Sequence, residues 1–339
     1  MKFGIRLADL ESHLGTGRRQ FELGLMAEKN GFDFYWVSHD MFKRSSLVML
    51  AAVAARTEKL KIGNTILNPY SLNPAELTTF IATLDELSGG RAVIGISSGG
   101  MAPLEWVGIK PRRPYTGTLE AIDIIRKLLA GEVVPYQGKE FNGWTDQCYL
   151  RFKPYRNKVP VYLGGSGEKM LAAGGRIAEG VLPILFPPEF ADLAVARIKK
   201  GAQEASRDIS EIDIAGCVWF SISKDGAMAD DPLKELVAYF GYMLHNDALN
   251  TIGLSHDDFE PIKNEWTEKG IDSAKNLVTD KMLRLGISGG PDECISKIED
   301  LEKRGITQVV IGSPLGPNPE EAIKLIGAKV IPYFKDQEK

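Results

Sequence analysis

The sequence predicts an α/β fold, a (β/α)8 TIM barrel with insertions before strand five and before strand eight. Three observations lead to it. Short β-rich runs alternate with longer amphipathic segments through most of the chain, which is the rhythm of βα units around a parallel sheet. Eight runs of each kind can be counted, a number that favours a closed barrel over a doubly wound sheet. The 339 residues exceed the usual domain size but suit an α/β barrel, so residues 1–339 are read as a single domain.

In chain order, the strand Lys2 to Leu7 leads to a helix from Arg18 to Asn30, with Gly31 placed for a left-handed cap. Strand two, Phe34 to Ser38, is followed by a helix from Ser45 to Thr57. Strand three, Leu60 to Leu67, ends in an Asn68-Pro69 turn before a helix that starts on Pro74, where a missing N–H costs nothing, and runs to Leu87. Strand four is Ala92 to Ser97, and its helix runs from Thr116 to Ala130. Residues 131 to 158 then read as an insertion carrying a small hairpin around Gln137-Gly138. Strand five, Val159 to Leu163, precedes a helix from Glu168 to Gly175; strand six, Gly180 to Ile184, precedes one from Pro188 to Ser206. Strand seven is Ile212 to Ser221, and a helix runs from Leu233 to Leu249. Residues 246 to 290 are mostly polar helix, too long for an ordinary loop. Gly305 follows a helix as another left-handed cap, strand eight is Gln308 to Gly312, and Pro319 to Pro332 is the closing helix.

Composition narrows the classes of function. Hydrophobic residues at 44% and charged residues at 25% are ordinary for a globular protein, and no run approaches the roughly 18 apolar residues of a membrane span. Met1 to Arg6 passes straight into a strand without the pattern of a secretory signal, so a cytoplasmic location is expected. A net charge of -4, with cations scattered among acids, argues against a nucleic-acid surface and for a small-molecule partner. Cys148, Cys217 and Cys294 are far apart and lack CxxC spacing; they are read as small buried hydrophobes, not as a disulfide framework or a metal site.

Candidate chemistry collects at the C-terminal ends of the strands, where barrel enzymes hold their sites. Strand two delivers His39 and Asp40 to the rim, either as a catalytic pair or as caps of the following helix. Strand three contains Gly63 and Asn64 before Thr65 and Ile66, residues that mark either a bulge beside a ligand or an ordinary strand end. After strand four, Ser97-Ser98-Gly99-Gly100 leaves room for a flat ring, and Glu105 is placed to orient a hydroxyl or to sit in solvent. Strand five runs through Gly164-Gly165-Ser166-Gly167 into a helix, which points free N–H groups and a positive dipole end at an anion, most often a phosphate. Neither a Walker loop nor a dinucleotide fingerprint is present there.

Taken together, these stretches resemble the luciferase-like superfamily and, within it, the archaeal deazaflavin-dependent methylenetetrahydromethanopterin reductases. The matching residues are Asn68-Pro69-Tyr70, Ala82 to Arg91, Val161 to Gly164, Ala178 to Val181 and Thr307 to Pro317, in the family's order along nearly the whole chain. The resemblance implies a non-prolyl cis peptide at Thr65-Ile66 backing the cofactor ring, the cofactor phosphate in the Gly164 to Gly167 loop, and residues 97 to 100 at the ring's edge. It also implies a homodimer or higher homo-oligomer. The cofactor-binding set is thus Asp40, Asn64, Thr65, Ile66, Ser97, Ser98, Gly99, Gly164, Gly165, Ser166 and Gly167, and the catalytic candidates are His39, Arg6 and Glu105.

Departures from the reductases fall in the catalytic region. Their Phe-Gly-Ile-Glu is Phe3-Gly4-Ile5-Arg6 here, their Gly-Ala-Gln-Gly is Gly164-Gly165-Ser166-Gly167, their Asp-His is His39-Asp40, and an acidic residue becomes Gly100. A guanidinium in place of a carboxylate inverts the charge near the reacting centre. The leading expectation is an oxidoreductase that moves a hydride between coenzyme F420 and a small organic substrate, a methylenetetrahydromethanopterin-like compound being one option. The alternatives are an FMN-dependent monooxygenase of the same superfamily and a flavin-binding protein without turnover.

Overall fold

Successive side chains on a strand point to opposite faces, so every strand of a closed barrel must supply one set to the interior and another to the surrounding helices. The computed structural model describes residues 1–7, 15–184 and 187–337, and its strands divide in that way. They are β1 (Lys2–Leu7), β2 (Phe34–Val37), β3 (Lys61–Asn64), β4 (Ile94–Ile96), β5 (Val161–Gly164), β6 (Gly180–Leu182), β7 (Asp213–Ile222), β8 (Gly286–Gly289) and β9 (Gln308–Leu315). All pairings are parallel, in the order β3-β2-β1-β9-β7-β6-β5-β4. Bridges from Ile62 to Ala92 and from Leu67 to Ile96 join β3 to β4 and close the ring. The TIM barrel expected from the sequence is therefore the fold.

Outward strand residues such as Phe3, Ile5, Leu163 and Ile311 pack with helix residues such as Leu50 and Ile81 in one large apolar cluster. The inward set forms a second cluster of Phe34, Trp36, Val93, Tyr162, Leu182, Ala215, Cys217 and Val310. Two large rings fill the lower barrel because neighbouring strands carry glycine: a Cβ on Gly63 would lie 2.6 Å from Trp36, and one on Gly180 would collide with Tyr162.

Below these rings lies a polar hub. The Asp213 carboxylate, 8% exposed, accepts from Tyr162 Oη at 2.8 Å, Thr307 Oγ1 at 2.6 Å and Gln308 Nε2 at 2.8 Å, and Lys2 Nζ sits 3.0 Å away. Trp36 Nε1 donates in turn to Gln308 Oε1 at 2.9 Å. One carboxylate on β7 thereby ties together β1, β5 and the start of β9.

The helices are α1 (Gly17–Lys29), α2 (Ser46–Ala54), α3 (Pro74–Leu87), α4 (Met101–Trp106), α5 (Pro114–Leu129), α6 (Glu168–Ile177), α7 (Ala191–Glu204), α8 (Asp230–Phe240), α9 (Asn246–Thr251), α10 (Glu260–Lys269), α11 (Ile271–Ala274), α12 (Asp280–Leu283), α13 (Pro291–Lys303), α14 (Pro319–Leu325) and α15 (Ile331–Gln337). Pro74 opens α3 as expected, with Asn73 Oδ1 accepting from Ala75 N at 2.9 Å. Gly305, at φ 95°, follows α13. Among the described residues no helix is long and apolar enough to cross a membrane.

Several expectations are corrected. Residues 131 to 158 contain no strand pair; instead the Glu120 carboxylate accepts from Lys139 N, Glu140 N and Phe141 N at 2.6 to 3.0 Å, and Gly138 is glycine because a Cβ there would run into Glu120. The helix expected over Leu233 to Leu249 breaks into α8 and α9, since Gly241 packs against the Phe259 ring and His245 Nδ1 caps a fresh start by accepting from Asp247 N at 3.2 Å. The 246–290 insertion is four short helices plus β8, with its own apolar core of Leu244, Leu249, Phe259, Ile262 and Met282 around Trp219 of β7. β8 lies in the stretch read as polar helix and is a strand because β7 extends to offer an edge, pairing Trp219–Ile222 with Gly286–Gly289. The closing helix is interrupted by a wider π-helical turn, Ile326–Val330, ahead of Pro332. Cys217 and Cys294 are buried as expected, whereas Cys148 is partly exposed.

Asp213→Ala removes the shared acceptor of Tyr162, Thr307 and Gln308, while the half-exposed Lys2 charge stays in water, so a loss of about 2 to 4 kcal/mol is expected. Tyr162→Phe removes one donor and should cost about 1 to 2 kcal/mol. Urea unfolding of both variants measures the difference; near-native stability of Asp213→Ala would mean that the hub does not hold these strands.

Candidate active site at the barrel mouth

The mouth is shaped where β3 leaves the regular ladder. After Asn64 the chain bulges, the Thr65–Ile66 peptide is cis as the resemblance implied, and pairing resumes with Leu67 N to Gly95 O at 2.7 Å and Ser97 N to Leu67 O at 3.1 Å. The detour brings the Asn64 carbonyl so close to β4 that any side chain at Gly95 would collide with it. Ile66, 8% exposed, is turned inward. Its neighbours are small: a Cβ on Gly164 would lie 2.5 Å from Ile66 Cγ2, 3.3 Å from Ile184 Cδ1 and 3.6 Å from Ser97 Cβ, and one on Gly99 would lie 3.5 Å from Ile66 Cδ1. Ile66, Ser97, Gly99 and Gly164 are thus brought together as an apolar seat that would be filled if the glycines carried side chains.

Asn68 bolts the two rims of this seat to each other. Its amide nitrogen donates to Ser98 O, and its Oδ1 accepts from Tyr70 N at 2.8 Å. Around the seat, Thr65 Oγ1 and Asn64 Oδ1 are buried without a hydrogen-bond partner. Unpaired buried polar atoms cost stability, and their clustering at a mouth fits atoms waiting for a ligand.

The Gly164 to Gly167 loop enters α6 as expected, but not all of it is free. Gly165 N donates to Leu182 O at 3.1 Å, and Ser166 Oγ donates to Ile184 O at 2.8 Å. Gly167 takes the N-cap position of α6 with φ -75° and no side-chain cap, leaving the helix N-terminus open to an anion. His245, from the insertion, reaches this point: its Nε2 lies 3.9 Å from where a Gly167 Cβ would be. Nothing local in the sequence pointed to His245, because 78 positions separate it from Gly167.

His39 is half-buried, with Nδ1 2.9 Å from Ser46 Oγ, while Asp40 is exposed. Ser46 Oγ also receives Asn64 Nδ2 at 2.9 Å. Ser46 Oγ can donate its one proton to His39 Nδ1 while accepting from Asn64, an arrangement that favours a neutral ring with its proton on Nε2. Burial lowers the imidazole pKa, and the Asp40 charge opposes that only in part. Asp40 thus acts on His39 through charge alone, and the residue that orients the ring is Ser46, at the start of α2, which the sequence reading did not single out.

Arg6 lies on the inward face of β1, level with Trp36 of β2, and is 6% exposed. Its guanidinium passes over Gly312, where a Cβ would sit 3.1 Å from Nη2, and Nε has no partner. Burial pushes the neighbouring Cys217 thiol up to about 12 despite the Arg6 charge. Glu105 is exposed on α4, with no side-chain contact to the other candidates among the described residues. A groove of 430 Å³ lined by Asn73, Thr79, Leu128, Trp144, Cys148 and Tyr149 lies on the outer flank and shares no residue with the mouth.

Two of the motifs that carried the resemblance are structural. Arg91 donates to the carbonyls of Ala54, Thr57, Leu60 and Ser88 at 2.7 to 2.9 Å, closing the end of α2. Glu179 accepts from Val161 N at 2.9 Å and pairs with Arg126 at 3.0 Å, joining β5 to α5.

A family model described as luciferase-like monooxygenase matches residues 1–308. The 5,10-methylenetetrahydromethanopterin reductase of Archaeoglobus fulgidus is 34% identical to this chain over 99% of its length and 100% of the relative's. That of Methanopyrus kandleri is 36% identical over 92% of this chain and 93% of the relative. The solved structure of the coenzyme F420 dependent tetrahydromethanopterin reductase from Methanopyrus kandleri is similar to this chain at a TM-score of 0.90 and 35% identity, covering 98% and 99% of the two chains.

His39 yields a pH prediction. With its folded pKa below the ordinary 6.5, the unfolded chain binds a proton before the folded one does, so the ring's contribution is complete above about pH 6.5 and is lost as pH falls towards the folded pKa. The stability difference between the native protein and His39→Gln should therefore shrink between pH 8 and pH 5, and an NMR titration should place the His39 midpoint below those of exposed imidazoles. A midpoint at or above the ordinary value would refute the neutral, Ser46-bonded ring.

Proposed function

The chain belongs to the luciferase-like monooxygenase family, and from that membership we propose that it is an oxidoreductase that moves a hydride between coenzyme F420 and a small organic substrate at the barrel mouth. The observation that carries this reading is end-to-end similarity to a reductase whose solved structure is described as coenzyme F420 dependent, combined with a seat that a planar group fits. That seat is the inward face of Ile66, uncovered by Gly99 and Gly164, with the unpaired Thr65 Oγ1 and Asn64 Oδ1 at its edge.

In this reading Ile66, Ser97, Ser98, Gly99 and Gly164 hold the ring, and the N–H groups of Ser166 and Gly167 at the start of α6 hold the tail phosphate, with His245 beside them. When bound, the deazaflavin supplies or accepts the hydride. The chain's own part is to exclude water from the seat and to handle charge: His39 holds a proton at Nε2, fixed by Ser46, where a change of charge on a reacting molecule calls for one near neutral pH. A cytoplasmic location fits three free cysteines. A homodimer or larger assembly fits α2, whose sequence SLVMLAAVA has no charged residue and leaves Val48 70% exposed.

The family description also admits an FMN-dependent monooxygenase. Fluorescence titration with F420 and with FMN separates the two, and tighter binding of F420 is expected. Gly167→Asp meets no backbone strain and no neighbour closer than His245, so the new carboxylate should cap α6 without unfolding it while repelling the phosphate. F420 affinity is expected to fall by about 1 to 3 kcal/mol with the melting temperature unchanged or raised; unchanged affinity would place the phosphate elsewhere. His39→Gln should lower the turnover rate by about a hundredfold at saturating F420 and leave F420 affinity largely intact, whereas the reverse pattern would make His39 a cofactor ligand only.

A further inference from the structure

A guanidinium keeps its charge at any pH a protein meets, so a buried arginine must find an anion or bear the cost of lacking one. Elsewhere in the barrel that rule is obeyed. The buried Asp85 is matched by Arg156 at 2.5 and 2.9 Å, and Asp213 is matched by Lys2 and three neutral donors. Arg6 is the exception: it is 6% exposed, its Nε is unpartnered, and no carboxylate among the described residues forms an ion pair with it.

Among the described residues, geometry rules out the internal candidates. Asp213 pairs at the level of Gly180 and sits with Lys2 and Gln308 at the bottom of the barrel, whereas Arg6 is four residues above Lys2 on the same strand, about 13 Å along it. The Cys217 thiol is close enough to feel the Arg6 charge but is held neutral by burial. Asn64 Oδ1 and Thr65 Oγ1 can accept a hydrogen bond but carry no charge. On β9 the position level with Arg6 is Gly312, and the guanidinium lies over it, since a Cβ there would stand 3.1 Å from Nη2 and 3.2 Å from Nε.

We infer that Arg6 is the counter-ion for a carboxylate or phosphate on the substrate, so that the molecule oxidised or reduced at this mouth is a small organic anion. The inference rests on the proposed hydride-transfer function for the word substrate, but the anion site itself does not depend on which cofactor is bound. The planar fork of Arg6 suits a two-oxygen group, and its place on the inward face of β1 sets that group deep in the mouth, leaving the rest of the molecule directed outward.

Calorimetric titration of the F420-saturated protein with malonate and with inorganic phosphate tests it, using the native chain, Arg6→Gln and Arg6→Lys. Loading with F420 first keeps the probes off the α6 phosphate site. At least one probe is expected to bind the native protein, at least tenfold more weakly to Arg6→Gln and with intermediate affinity to Arg6→Lys; which probe binds tells carboxylate from phosphate. F420 affinity, read separately by fluorescence quenching, should stay within twofold, and without ligand Arg6→Gln should melt at or above the native temperature. Equal anion affinity in the native protein and Arg6→Gln, or no anion binding to the native protein, overturns the inference. So does a fall in F420 affinity in Arg6→Gln, which would assign the guanidinium to the cofactor, or a marked fall in melting temperature, which would assign it a structural partner. If the native protein does not bind F420 at all, the same titration on unloaded protein decides the anion site while the cofactor reading fails alone.

Discussion

A carboxylate removed from water has to be surrounded by donors, and the barrel is organised around one that is. Asp213 draws Lys2, Tyr162, Thr307 and Gln308 to a single point, so strands far apart in sequence meet with their registers aligned. Slippage of β1 or β9 by one residue would turn Lys2 or Gln308 to the opposite face and leave a buried charge unpaired. The aromatic filling above it follows from the same alignment: Trp36 donates to Gln308 and Tyr162 to Asp213, so the rings that plug the barrel are also fastened to its base.

The two ends of the barrel differ in how completely their polar groups are paired. At the base the carboxylate and its neighbours bond to one another. At the mouth Arg6 Nε, Asn64 Oδ1 and Thr65 Oγ1 are buried and unpaired, and burial lowers the His39 pKa. A fold has no reason to leave such groups unsatisfied for its own stability; the cost is borne where a ligand would relieve it. The geometry allowing this is the bulge that follows Asn64 at the end of β3 and turns Ile66 inward, together with the glycines at 95, 99 and 164 that give way to it.

The insertion before β9 completes the same end from outside. Trp219 anchors its apolar core to β7, and His245 comes from it to the start of α6. A segment that reads as polar helix is thereby a small cap whose position is set by one barrel strand.

What the sequence alone determined was the alternation of strand and helix, hence the barrel, and the residue types at the strand ends, because both are local: periodicity, glycine placement and helix starts are written within a few positions of one another. The resemblance also pointed to the Thr65–Ile66 bond correctly. It could not tell which matching residues serve the fold, since Arg91 and Glu179 look functional until their carbonyl and ladder contacts are seen. Only the tertiary structure decided that Gly165 is already bonded, that Ser46 rather than Asp40 orients His39, that His245 stands beside Gly167, and that among the described residues Arg6 Nε has no hydrogen-bond partner. Each of those depends on distances between groups brought from different strands, and in a closed barrel such distances are set by how the whole ring is filled and registered.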